Sequence, residues 1–179
     1  MNEYLQKCEA ELVNGYAKKR HPFRYFSLAT IADDKPRLRT VVLRKLLSDF
    51  TLLFYTDLRS AKVSQLQENN QVSALFYNPK KLLQIRVDGE VFFETDEKIL
   101  KSYWNNIPEN SRKDYITKLK PGSSINEDDE IEYDAENPNF VAVKIKAHTI
   151  EYLQLQRPSH LRLLFSRADD QWKMQNLVP

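Results

Sequence analysis

The chain has one cysteine, no long apolar run and almost no net charge. Cys8 on its own cannot form an internal disulfide, and no C-x-x-C or Cys/His cluster is available to hold a metal ion. A reducing compartment is expected. No apolar run approaches the roughly 20 residues that cross a bilayer, and the opening MNEYLQKCEAELVNGYAKKRHPF lacks the apolar centre of a signal peptide. These absences lead to the expectation of a soluble, cytoplasmic protein without a membrane partner. Twenty-seven basic against 25 acidic residues give a net charge of +2, which argues against a nucleic-acid footprint. Neither a repeat nor an interdomain linker interrupts the 179 residues, so 1–179 read as a single domain with one core.

The charge that is present is uneven. EDDEIEYDAE, residues 127–136, holds seven acids, and the remainder carries nine more basic than acidic residues, a body that can accept an anion. The acidic stretch lacks the glycine and ligand spacing of a calcium loop and reads as a solvated loop over about 126–139.

Hydrophobic spacing supplies the elements. Tyr4 or Leu5, Cys8, Leu12 and Tyr16 recur every three or four residues, predicting an amphipathic helix over about 3–18 that Pro22 brings to a close. Runs rich in Val, Ile, Phe, Tyr and Thr predict strands over 23–31, 38–46, 50–56, 72–77, 82–93 and 140–150. LRLLFSRADDQWKMQNLVP predicts a last hairpin turning at Ala-Asp-Asp. The connections ADDKP and LLSD are short enough for antiparallel neighbours. Asp88 and Gly89 mark a bend or bulge. Helices are expected over 60–69, 96–105 and 110–120, with Pro108 between the last two. The fold class is mainly β with peripheral helices, an antiparallel barrel expected to remove exposed edges by closure.

One stretch poses a chemical question. In RTVVLRKLLSDFTLLFYTDLRSAK, residues 39–62, alternation puts Arg39, Val41 and Leu43 on one face and Thr40, Val42 and Arg44 on the other. Ser60 is a candidate N-cap, yet Arg59 and Lys62 flank the helix it would open. Cations there oppose the macrodipole by up to about 1 kcal/mol, which makes sense if an anion such as phosphate sits among them. The plain alternative is that these side chains are simply hydrated, as most surface cations are. Glu68 at the far end of the helix also ignores the dipole rule.

RTVVLR, FYTDLRSAK, QVSALFYNP, LLQIRVDGEV and the tail DDQWKMQNLVP stand in the order and spacing of one family. From about Phe23 to Pro179 the chain resembles the pyridoxamine 5′-phosphate oxidase family of FMN-binding split β-barrels. The resemblance implies FMN as cofactor and a homodimer that builds each FMN site from two chains. By this resemblance Arg39 grips the phosphate, and Ser60 and Lys62 complete the grip, joined by Arg59 because Ala61 stands where the oxidases have a second basic residue. Val41, Val42 and Leu43 lie along the flavin ring, and Arg44 stands near flavin and substrate. Tyr55 and Thr56 flank the cofactor. Gln84 reaches it from the partner subunit, and Arg162 matches an arginine near the pyrimidine edge. Ser123 and Ser124 correspond to a further polar contact.

The substrate end departs from the oxidases. Tyr103 and Ser111 match substrate-phosphate ligands, but Ile107 replaces the arginine between them, and isoleucine cannot pair a dianion. In YLQLQRPSHLR, His160 and Arg162 keep their spacing, whereas Pro158 and Leu153 replace an arginine and a tryptophan, with Arg157 one position early. His160 is the candidate catalytic residue, orienting substrate or moving a proton, the alternative being a surface or satisfied core histidine. His21 and His148 receive no role, and Trp104 and Trp172 read as packing residues. The leading function is hydride transfer from a small substrate to flavin, with vitamin B6 phosphates not favoured. A non-catalytic FMN carrier or sensor is the alternative, and an oligonucleotide-binding barrel is remote on charge.

Overall fold

A computed structural model describes residues 2–169 and 171–179. Helix α1 (Glu3–Ala17) is capped by Asn2, whose side chain accepts the Tyr4 N–H at 2.8 Å. It buries Leu5, Cys8 and Leu12 against the sheet. Gly15 is required by close approach, since a Cβ there would lie 2.8 Å from the Phe23 carbonyl oxygen. The helix stops four residues short of Pro22, which instead opens a 3-10 turn, Pro22–Arg24.

Nine strands follow, interleaved with three short helices. They are β1 (Tyr25–Ala32), β2 (Lys35–Val42), β3 (Lys45–Leu46), β4 (Thr51–Asp57), β5 (Gln71–Asn78), β6 (Leu83–Phe93), β7 (Phe140–Gln154), β8 (Leu161–Ala168) and β9 (Gln171–Leu177). Helix α2 (Ala61–Glu68) lies between β4 and β5, while α3 (Glu97–Asn105) and α4 (Glu109–Arg112) follow β6. The hairpin between β1 and β2 turns on Asp33 and Asp34, whose φ values of 51° and 55° match the strand twist. Asp170, expected in the last turn, lies outside the described residues.

The ladder runs β2-β1-β5-β6-β7-β4-β3, all antiparallel, with β8 and β9 continuing from the far half of β7. Its first and last members, β2 and β3, are consecutive in the chain, so the sheet curls until one segment carries both edges. The expected closure is not reached: β2 and β3 do not pair, and the result is a split barrel whose ladder stays open. Between β6 and β7 the register shifts at Asp88/Gly89, leaving His148 as the extra residue. A Cβ on Gly89 would meet the Lys146 carbonyl oxygen at 2.1 Å, so only glycine fits the bulge. The interior is aromatic at its centre, with Phe26 stacked on Phe76 at 4.8 Å and edge-on to Phe54.

Two expectations are corrected. The single strand over 38–46 is broken after Val42, because Leu43 donates its N–H to Arg24 and Arg44 donates to Leu53, so the chain changes partners there. The helix over 110–120 is replaced by α4 and a 3-10 turn, Lys113–Tyr115. Its backbone bonds to the acidic loop instead. Asn139 donates to Tyr115, Asp134 to Ile116, and Lys118 to Glu132. Trp104 packs against Tyr115 and Phe140, and Trp172 against Phe50.

Candidate functional site

Of the cations singled out in the sequence, Arg44 and Lys62 line the split between β2 and β4, whereas Arg39 and Arg59 do not line it and bond to neighbouring segments. β2 is an edge strand, so alternate backbone groups face this opening without a ladder partner. A cavity of about 250 Å³ lies here, lined by Val41, Val42, Arg44, Tyr55, Thr56 and Lys62 among others. Arg39 points inward beside the buried Leu28, donating to Thr30 Oγ1 at 2.6 Å and Gln65 Oε1 at 2.7 Å. Lys62, on the first turn of α2, donates to Thr56 Oγ1 at 2.9 Å. Burial and then the neighbouring Arg39 lower the Lys62 pKa, and burial and then Arg37 lower that of Arg39. Both cations thus rest on neutral acceptors.

Two carboxylates, Asp57 and Asp114, also line this cavity, and the first of them is occupied. Asp57, 3% exposed, is spanned by Arg59 in a fork with contacts of 2.7 and 3.1 Å. The same guanidinium donates to the carbonyls of Thr117 and Lys118 at 2.7 and 2.8 Å. Arg59 therefore fastens the start of α2 to the 117–118 segment and is already neutralised. Ser60 is buried, its hydroxyl 3.2 Å from that of Thr56, and it makes no side-chain cap bond to α2. Among the described residues, Arg39 and Lys62 have no ion pair. Two half-buried cations without an ion pair, one of them lowering the other's affinity for protons, thus lie beside an uncapped helix start, an arrangement that suits an anion.

A second cleft of about 300 Å³ adjoins the first and shares Arg44 and Tyr55 with it. Tyr103, Ser111, Ile107 and Leu43 line it too, so three of the four residues assigned to substrate, Arg44, Tyr103 and Ser111, share this cleft, and His160 does not. The Arg44 guanidinium lies 5.4 Å from the Tyr55 ring centroid and donates to Tyr115 Oη at 3.2 Å, while its Nε is buried without a partner. Burial pushes the Tyr55 phenol up to about 12, so it stays neutral at any ordinary pH. Ile107 is 3% exposed, an apolar wall.

Other assigned residues lie elsewhere. Gln84 pairs with Tyr77 and Leu153, and Arg162 with Leu153 and Leu177, forming one row across β5 to β9. Arg162 ion-pairs with the buried Glu151 at 3.1 Å, and Arg86 reaches the same carboxylate at 3.3 Å. His160 is exposed, its Nδ1 accepting the Gln156 N–H at 3.0 Å. Neither cleft is lined by Gln84, His160 or Arg162 of the same chain. Ser123 lines a third cavity formed by 117–132, and Ser124 and Arg157 are exposed. Sequence reasoning missed Arg24 and Tyr16, which line the second cleft, and Tyr115, which bonds Arg44. Nothing local marks Arg24. Tyr115 was hidden inside the expected helix.

Residues 3–95, just over half the chain, match the family described as pyridoxamine 5′-phosphate oxidase, FMN-binding domain. The pyridoxine/pyridoxamine 5′-phosphate oxidase of Psychrobacter cryohalolentis is 32% identical over 130 residues, 72% of this chain and 56% of that protein. The enzyme of the same name from Synechocystis is 29% identical over 86% of this chain and 77% of its own. Across several such relatives this chain spans only 30 to 56% of their length. In shape it is similar to a pyridoxamine 5′-phosphate oxidase-related, FMN binding protein from Nostoc punctiforme, with TM-score 0.80, 24% identity, and 100% and 99% of the two chains covered. It is also similar to PhzG from Burkholderia lata 383, with TM-score 0.71, 19% identity, and 98% and 89% covered. At those identities the likeness concerns the fold alone. The chain belongs to the pyridoxamine 5′-phosphate oxidase FMN-binding domain family, and its cofactor is FMN.

Proposed function

We propose that the protein is an FMN-dependent oxidoreductase, acting as a cytoplasmic homodimer on a small substrate, with vitamin B6 phosphates not favoured. One observation carries the reading. Arg39 and Lys62 are half-buried, mutually repelling cations that rest on neutral acceptors at the split of the barrel. A phosphate dianion offsets that repulsion, and the donors present fit it. Arg39 and Lys62 would hold the phosphate together with Ser60 and the first turn of α2. Arg59 keeps that turn in place through Asp57. Val41, Val42 and Leu43 would offer edge-strand backbone to the ring system, with Arg44, Tyr55 and Thr56 at its side. When bound, FMN supplies a two-electron acceptor for hydride from the substrate.

The chain's own residues then orient that substrate. Arg44, Tyr103 and Ser111 share a cleft adjoining the cofactor's, and the buried Ile107 removes charge from one wall. Gln84, Arg162 and His160 lie on a different part of the surface and would complete the site of the partner subunit. The exposed Leu75 and Tyr77 beside Gln84 fit such an interface. Among the described residues no helix is long and apolar enough to cross a membrane, and no group of three or more His, Cys, Asp or Glu could hold a metal ion.

The test begins with the flavin content of the purified protein, measured by absorbance and by mass spectrometry of the released cofactor. Arg39→Ala should lose most of that content. Anaerobic reduction by candidate substrates, with pyridoxamine and pyridoxine phosphates among them, then reports catalysis. Protein that takes up no FMN, or an Arg39→Ala variant that retains it fully, refutes the assignment.

A further inference from the structure

The second cleft contains a cation that the preceding reading leaves unused. Arg24 ends the 3-10 turn before β1, and its backbone carbonyl is fixed by the Leu43 N–H at 2.9 Å. Arg24 is half-buried and lines the cleft with Arg44, Tyr16, Tyr55, Tyr103 and Ser111. Its bond to protein is a long one, Nη1 to the Tyr16 carbonyl at 3.4 Å. Among the described residues, neither Arg24 nor Arg44 has a carboxylate partner, and Arg44 keeps a buried, unpartnered Nε. Two guanidinium groups thus share one small cleft with no anion to neutralise them.

The shape of the cleft narrows the ligand. About 300 Å³ is the lower end of small-molecule sites, room for roughly one ring with a substituent. Tyr55 and Tyr103, their centroids 5.6 Å apart, offer flat faces, while Leu43 and Ile107 are apolar. No lysine lines the cleft, and the four-residue α4 at its rim begins with Glu109, a poor setting for a dianion. Two guanidinium forks suit a planar anion taken edge-on. We propose that Arg24 and Arg44 form a subsite for a small aromatic carboxylate, with Arg24 the residue that sets this specificity. The proposal rests on FMN occupying the neighbouring cleft, where the ring of such a ligand would face the flavin.

Benzoate serves as the probe, titrated into FMN-loaded protein and followed by the flavin difference spectrum and by calorimetry. Wild type should bind it, and Arg24→Ala should bind about ten- to a hundredfold more weakly, the loss of one charged hydrogen-bonding partner. Arg24→Lys, which keeps the charge without the fork, should fall between them. FMN affinity and melting temperature should be the same in all three proteins, which separates a ligand contact from a folding defect. Benzoate binding that is absent in wild type, or undiminished in Arg24→Ala, overturns the proposal, as does tighter binding of phenyl phosphate than of benzoate. If the protein takes up no FMN, the functional reading falls, and calorimetry of benzoate with the flavin-free protein still decides the role of Arg24.

Discussion

Replacing Lys62 by methionine should weaken FMN binding while leaving the flavin-free protein nearly as stable as before. Without flavin the ammonium is held in partial burial beside Arg39, and both effects lower its pKa in the fold. The sign follows from linkage. Between the lowered folded pKa and the ordinary lysine value, the unfolded chain binds more protons than the folded one, so stability rises with pH through that window. At neutral pH the folded protein bears the full penalty of keeping Lys62 charged. Methionine removes that penalty and also the 2.9 Å bond to Thr56, worth about 1 kcal/mol. The two changes oppose each other, so the net effect on the flavin-free protein should stay within about 1 kcal/mol.

With flavin the effects no longer cancel. A charged hydrogen bond to phosphate contributes about 2 kcal/mol, so its loss weakens binding about thirtyfold. At a flavin concentration of about a hundred times the wild-type Kd, FMN stabilises wild type by about 2.7 kcal/mol. The same concentration stabilises Lys62→Met by only about 0.9 kcal/mol. For a protein of this size the difference amounts to about 4 to 7 °C in the FMN-induced rise of Tm. Thermal melts of both proteins, with and without FMN, read this directly. A variant that keeps the wild-type FMN-induced rise refutes the phosphate site, even if its own Tm has changed.

Three further outcomes are expected. Gly89→Ala should cost about 3 kcal/mol or more, seen as a lower urea midpoint, because its Cβ would lie 2.1 Å from the Lys146 carbonyl oxygen. Cys8, fully buried and with its thiol pushed up to about 12 mainly by burial, should resist alkylation at pH 8 in the folded protein and react promptly in denaturant. Tyr77→Asp replaces an exposed side chain, so the fold should persist while sedimentation shows dissociation into monomers and absorbance shows loss of flavin.

Much of the fold was legible because its determinants are local. Alternation in the β1, β5 and β6 segments gives their inward faces directly, and a glycine inside a strand pattern marked the bulge. The failures lie where distant segments compete for the backbone. Residues 113–118 have helix-compatible spacing, yet their backbone groups are taken by 132–139, a pairing that no window of sequence contains. The break after Val42 has the same origin, since Arg24 and Leu53 capture the next two N–H groups. At the site, Lys62 could be singled out because a cation at a helix start opposes the macrodipole, whereas Arg39 was assigned by the family resemblance. Arg24 is ordinary in its local setting and becomes conspicuous only when Arg44 stands across a cleft from it.

The bulge connects these levels. Ahead of it, the residues of β7 buried in the barrel are Val141, Val143, Ile145 and Ala147, and beyond it they are Ile150 and Tyr152. One inserted residue, His148, therefore switches the inward positions from odd to even. Without that switch Glu151 and Leu153 would point into the core, placing a carboxylate among phenylalanines and valines. With it, Glu151 lies on the face of Arg86 and Arg162, which hold it at 3.3 and 3.1 Å. The same register sets Gln84 and Arg162 on either side of Leu153, in one row on the face turned away from the barrel interior. The placement of Gln84 and Arg162 in that row, and with it their proposed reach toward a second subunit, thus depends on Gly89. A substitution there that leaves the protein folded should loosen the dimer and its flavin together, whereas damage confined to the core would lower Tm and leave both intact.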